Sequence, residues 1–82
     1  MNWKHTIHQM RKSLQRNGFG NLADELLMAE VNGGKNPNAI VTEVITKLQQ
    51  FASENTEAYD LIITEAEQLR RYAKSFGILP KM

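Results

Sequence analysis

The stretch Asn36–Ala52, NPNAIVTEVITKLQQFA, constrains this chain more than any other. Its apolar residues Ala39, Ile40, Val41, Val44, Ile45, Leu48, Phe51 and Ala52 recur at three- and four-residue spacing. Thr42, Glu43, Thr46, Lys47, Gln49 and Gln50 fall between them, which is the signature of an amphipathic helix. Asn36 reads as the N-cap, and Pro37 then occupies the first helical position, where the missing N–H has no intrahelical partner to lose. The Ile, Val and Thr residues are β-branched and would suit a strand, but alternation holds only for Val41, Glu43, Ile45 and Lys47 and fails beyond them. The helix therefore stands, and so wide an apolar face requires partners on more than one side.

The rest of the chain supplies them. A first helix is expected over Trp3–Asn17, with Trp3, Ile7, Met10 and Leu14 as a narrow seam and Gly18 in the left-handed position after its end. Phe19, set between Gly18 and Gly20, reads as an anchor that tucks the turn against the core. Asn21 is the expected N-cap of a short second helix, with Asp24 three residues on approximating a capping box. Leu22, Ala23, Leu26, Leu27, Ala29 and Val31 form its expected buried face, Met28 reads as packing filler with an adaptable contact surface as the alternative, and Asn32, Gly33 and Gly34 stop it. After Ser53–Asn55, with Asn55 or Thr56 as cap, a long last helix is expected. Its period runs through Ala58, Tyr59, Leu61, Ile62, Ile63, Ala66, Leu69, Tyr72, Ala73 and Phe76 to Gly77. Ile78 would pack behind that glycine, Pro80 would forbid resumption, and Lys81 and Met82 would be loose. Short connections favour antiparallel neighbours. The expectation is an all-α, compact, irregular four-helix bundle, residues 1–82 forming a single domain whose first two helices cover the central and C-terminal pair.

Composition agrees with a folded domain: 82 residues, 41% hydrophobic and 23% charged. A chain of this length buries roughly 60–65% of its unfolded surface, so stability is modest. With no cysteine there is neither a disulfide framework nor a thiolate metal site. No stretch has the length of a signal-peptide core or of a membrane span, so a cytoplasmic location is expected.

The net charge of +1 hides an uneven distribution. Residues 1–23 carry Lys4, Arg11, Lys12 and Arg16 and no acid. Residues 24–67 carry all nine acids against Lys35 and Lys47, and the last fifteen residues add Arg70, Arg71, Lys74 and Lys81. Matching of helix dipoles accounts for much of this, since acids gather at helix starts and bases at helix ends. A binding role is the alternative.

Catalytic chemistry finds no constellation. His5 and His8 share a helical turn, yet two imidazoles without cysteine or a nearby acid do not close a metal site. Gly33, Gly34 and Lys35 precede a helix, but Asn36 follows the lysine and the spacing is not that of a phosphate loop. Only the generic anion affinity of a helix start remains there. Nothing resembles a nucleophile elbow, a zinc-protease helix or a calcium loop, and Glu65 and Glu67 face different ways. Neither an enzyme nor a bound cofactor is expected. As a helix-turn-helix, the second and third helices have too long a link, and the would-be reading helix carries one Lys and one Glu. Arg11, Lys12, Arg16, Arg70, Arg71 and Lys74 leave a nucleic-acid-associated regulator as the alternative function.

Leu22 to Phe51, read as a short acidic helix, a glycine-rich turn and an Ile/Val-rich helix ahead of a long closing helix, resembles the small helical immunity proteins of bacterial contact-dependent growth inhibition systems. The resemblance implies a non-enzymatic cytoplasmic protein that neutralises a cognate toxin by binding it. A basic toxin domain such as a nuclease would suit an acidic surface. Asp24, Glu25 and Glu30 of the second helix, with Glu54, Glu57 and Asp60 at the last connection, form that expected surface, because the starts of helices 2 and 4 share one end of an up-down bundle. Tyr59 is its expected aromatic anchor, the alternative being a ring packed on the core.

Overall fold

The computed structural model describes residues 3–75 and 77, and within them the chain is all-α. Five helices follow one another: α1 Trp3–Arg16, α2 Gly20–Asn32, α3 Pro37–Glu54, α4 Thr56–Leu61 and α5 Ile63–Ser75. No strand occurs among the described residues. The expectations for Phe76, Ile78, Pro80, Lys81 and Met82 lie outside them.

The local chemistry that starts and stops the helices is visible in hydrogen bonds. Asn36 is in extended conformation and its Oδ1 accepts from the N–H groups of Asn38 at 2.9 Å and Ala39 at 3.4 Å, so α3 begins at Pro37 as its sequence requires. At the end of α1, Gly18 has φ +85. Phe19 N–H donates to the Leu14 carbonyl at 2.8 Å and Gly18 N–H to that of Gln15 at 3.4 Å, the paired bonds of a glycine-terminated helix. The second helix departs from expectation. It starts at Gly20, with Phe19 in the cap position and no side-chain cap bond, so Asn21 lies inside the first turn. Phe19 is half-buried against the core, where its ring anchors the turn.

Five helices stand where four were expected because the last one is divided at Ile62, which has φ −120 and ψ 13. The run Ile62–Ile63–Thr64 is β-branched throughout, and such residues lose side-chain freedom in a helix. Ile62 itself is fully buried, while its neighbours Leu61 and Ile63, expected in the buried face, are each 40% exposed. The break thus turns one apolar side chain of the three into the core and leaves the flanking two toward water.

α2 packs on both α1 and α3; α1 also meets α5, and α3 meets α4 and α5. The core lies between these pairs. Val41, Val44, Ile45, Leu48 and Phe51 come from α3, Ile7, Met10 and Leu14 from α1, and Leu22, Ala23, Leu26 and Ala29 from α2. Ala58, Tyr59, Ile62, Ala66, Leu69 and Ala73 close it from the C-terminal side. Full burial of each large aliphatic or aromatic side chain contributes about 1.5–3 kcal/mol. Gly33, at the end of α2, lies tight against α3: an added Cβ would stand 2.5 Å from the Ile40 Cα. This contact sets the end of α2 directly on the first turns of α3.

Candidate functional site

Two of the acidic residues named from sequence, Glu25 and Glu30, pair with different neighbouring helices. Glu25, at the start of α2, turns toward α3, where its Oε1 lies 3.3 Å from the Lys47 ammonium, which also donates to Gln50 Oε1 at 3.2 Å. Glu30, five residues later, turns the other way. Its Oε1 lies 3.1 Å from Arg11 Nε of α1, with the two side chains 24% and 23% exposed. Both facing atoms are shielded from solvent and neither makes a directed hydrogen bond, so the contact is a charge pairing rather than an aligned N–H···O bond. Asp24, Glu54, Glu57 and Asp60 are exposed. Glu54 continues the α3 ridge of Glu43, Lys47 and Gln50 by one further turn, and Glu57 and Asp60 follow on α4. Asp24, Glu25 and Glu54 thus belong to the α2–α3 side of the molecule, whereas Glu30 belongs to the α1–α2 side.

Tyr59 is 8% exposed, part of the core, and the Arg70 guanidinium stands 5.8 Å from its ring centre. The ring therefore already has a cationic cover from its own chain. Of the basic residues considered for nucleic acid, Arg11 is held by Glu30 and Arg70 by this ring, while Lys12, Arg16, Arg71 and Lys74 are exposed. His5 and His8 are both exposed. No group of three or more His, Cys, Asp or Glu among the described residues could hold a metal ion, and no helix among them is long and apolar enough to cross a membrane.

The feature that sequence reasoning missed lies on α2. Leu27, Met28 and Val31, expected as buried face and filler, are 41%, 56% and 62% exposed. They form an apolar ridge along the C-terminal half of the helix with a groove on either side. The α1–α2 groove, about 450 Å³, is lined by Trp3, Lys4, Arg11, Leu27, Glu30 and Val31, with Gly34 and Ile40 closing its end. The α2–α3 groove, about 360 Å³, is lined by Asp24, Glu25, Met28, Ala29 and Asn32 against Glu43, Thr46, Lys47 and Gln50. The signal was present in the sequence. Advancing roughly 100° per residue, Val31 falls about 180° from Leu22 and Met28 about 160° from Leu26, so no single core can take all four.

A ridge of three large apolar side chains beside two grooves can seat another polypeptide through burial of area, with the flanking charges fixing its orientation. Comparison with known proteins adds no name to this surface: no family model, no curated protein and no solved structure matches the chain.

Proposed function

We propose that the chain is a non-catalytic protein-binding domain that works through the outer face of α2. The observation that carries the reading is the exposure of Leu27, Met28 and Val31 side by side on one helix. Keeping such side chains in water forgoes burial energy, and a contiguous apolar patch rimmed by charge is the usual mark of a protein interface. Fold architecture supports the same reading: the arrangement behaves as a small irregular bundle, in which α4 and α5 together take the place of one helix, presenting α2 on its outside. The most concrete version is an immunity or antitoxin protein acting in the cytoplasm. There a basic toxin domain would be met by the exposed acids Asp24 and Glu43, which line the groove beside Met28, with Glu54, Glu57 and Asp60 exposed farther along α3 and α4. A nucleic-acid role draws less support, since two of its six candidate bases are engaged within the chain.

Site-specific photo-cross-linking tests the reading. A photoreactive residue at Met28 is expected to give protein adducts of discrete size in the native cell, and one at the exposed Gln68 of α5 is expected to lack them. Indistinguishable labelling from the two positions would overturn the assignment of α2 as the binding face.

A further inference from the structure

We infer that the occupant of the α2–α3 groove is a basic amphipathic helix of another protein, with two Lys or Arg residues about five positions apart and apolar residues on the face between them. The inference rests on the reading of α2 as a protein-binding face and names the chemistry of its partner.

Charge chooses the partner's sign. The groove holds three acids, Asp24, Glu25 and Glu43, against Lys47 as its one base. That base is already committed: the Lys47 ammonium lies 3.3 Å from Glu25 Oε1 and 3.2 Å from Gln50 Oε1, although Glu43 stands one turn before it on the same helix. Asp24 and Glu43 are exposed, and neither has an ion pair among the described residues. Two unanswered carboxylates repel a phosphate backbone or an anionic membrane and attract Lys or Arg. The apolar element stands beside them. Met28, 56% exposed, follows Asp24 by one turn of α2, and Val31, 62% exposed, continues the crest by a further turn.

The fold chooses the partner's shape. No strand occurs among the described residues, so an extended peptide finds no sheet edge to which it could bond its main chain. No aromatic side chain among them lines the groove to hold a proline-rich segment. A helix bonds its own backbone and lays a ridge of side chains into the groove between two others.

The spacing follows from the register of α2 on α3. The two walls run antiparallel, since Glu25 meets Lys47 and Gly33 meets Ile40. Glu43 therefore stands near the level of Ala29, roughly five residues and about 7.5 Å beyond Asp24 along the axis. Asp24 belongs to the α2 wall and Glu43 to the α3 wall, so a helix seated between them presents one base to each. Five positions apart, two side chains point about 140° from one another, on either side of an apolar seam. This chain does not display that pattern itself: every exposed residue of α1 is polar, and on α5 the exposed Ile63 shares its face with Glu67. The partner is therefore a different protein.

Titration of the full chain with two synthetic helix-forming peptides tests this. One carries Lys at i and i+5 with Leu at i+1, i+4 and i+8, and the other has Glu in place of Lys. The Lys peptide is expected to bind with a dissociation constant below about 1 mM, shifting the amide resonances of Met28 and Glu43 and not that of Gln68 on α5, and the Glu peptide to bind at least about tenfold more weakly. Glu43→Gln alone should weaken the Lys peptide about two- to fivefold. Asp24→Lys/Glu43→Lys should invert the preference, so that the Glu peptide becomes the tighter, with helicity by circular dichroism unchanged because both positions are exposed. Equal binding of the two peptides overturns the inference, and so does a preference that the double variant leaves in place, because another face then carries the contact. Absence of binding by the Lys peptide up to about 1 mM overturns it as well. Any of these failures leaves the protein-binding reading intact when Met28 still cross-links a discrete protein in the cell, whereas loss of specific cross-links overturns both.

Discussion

α2 and α3 lie next to each other, both with apolar residues at helical spacing, yet they use them differently. α3 turns Val41, Val44, Ile45, Leu48 and Phe51 inward and keeps Glu43, Thr46 and Gln50 in solvent. α2 turns Leu22, Ala23, Leu26 and Ala29 inward and holds Leu27, Met28 and Val31 outside. The central helix meets α2, α4 and α5, which cover most of its wide face; α2 packs chiefly on α1 and α3, and among the described residues no helix covers Leu27, Met28 and Val31. A helical period identifies a helix, while the number of neighbours decides how many of its apolar residues the core can accept.

The two helices should respond very differently to one charge placed at a β-branched position of each. Val44→Asp puts a carboxylate at a fully buried site, costing several kcal/mol against a total of about 5–15 kcal/mol for an ordinary domain, and should abolish cooperative thermal unfolding by circular dichroism. Val31→Glu, at a site 62% exposed, should change stability by less than about 0.5 kcal/mol. Similar losses from both would erase the distinction between the helices. A smaller effect probes where they touch. Gly33→Ala brings a methyl group against the backbone of Ile40 and should lower the urea stability by about 1–3 kcal/mol, although alanine suits its φ of −72 without strain. The smallest contrasts their starts. Asn36→Ala removes the acceptor of two N–H groups and should cost about 1 kcal/mol in chemical denaturation, whereas Asn21→Ala, inside the uncapped start of α2, should cost less than roughly 0.5 kcal/mol.

The parts of the fold that were legible in sequence are those written in local chemistry. Asn36–Pro37 marks the start of α3 because cap and ring act within one turn, and Gly18 marks the end of α1 because its backbone conformation excludes most side chains. The division at Ile62 was hidden for a physical reason. Ala58, Ile62, Ala66, Leu69 and Ala73 keep the spacing of an unbroken helix, so the core receives the same residues in the same order on either side of the bend. The candidate surface was legible as a set of charges but not as a place. Glu25 and Glu30 are close in sequence, yet they pair with different neighbouring helices, and only the packing of α1 and α3 assigns them to opposite sides. The apolar ridge was obscured by its own composition, because leucine, methionine and valine carry the same hydrophobic signal whether they face the core or water.

The bend at Ile62 also sets α4 apart as a helix that depends on its neighbours. α4 is six residues long, and a helix that short cannot hold itself together in water. It persists because Ala58 and Tyr59 sit in the core and the Asn55 carbonyl accepts the Tyr59 N–H at 2.9 Å, continuing the backbone path from the end of α3. At the bend the Ile62 N–H bonds to the Tyr59 carbonyl, and the Ile62 carbonyl receives the Ala66 N–H, so the main-chain ladder passes through this one residue. Native-state hydrogen exchange is therefore expected to find α4 opening as a local unit, its amides trading with solvent at a lower free energy than those of α1, α2 and α3.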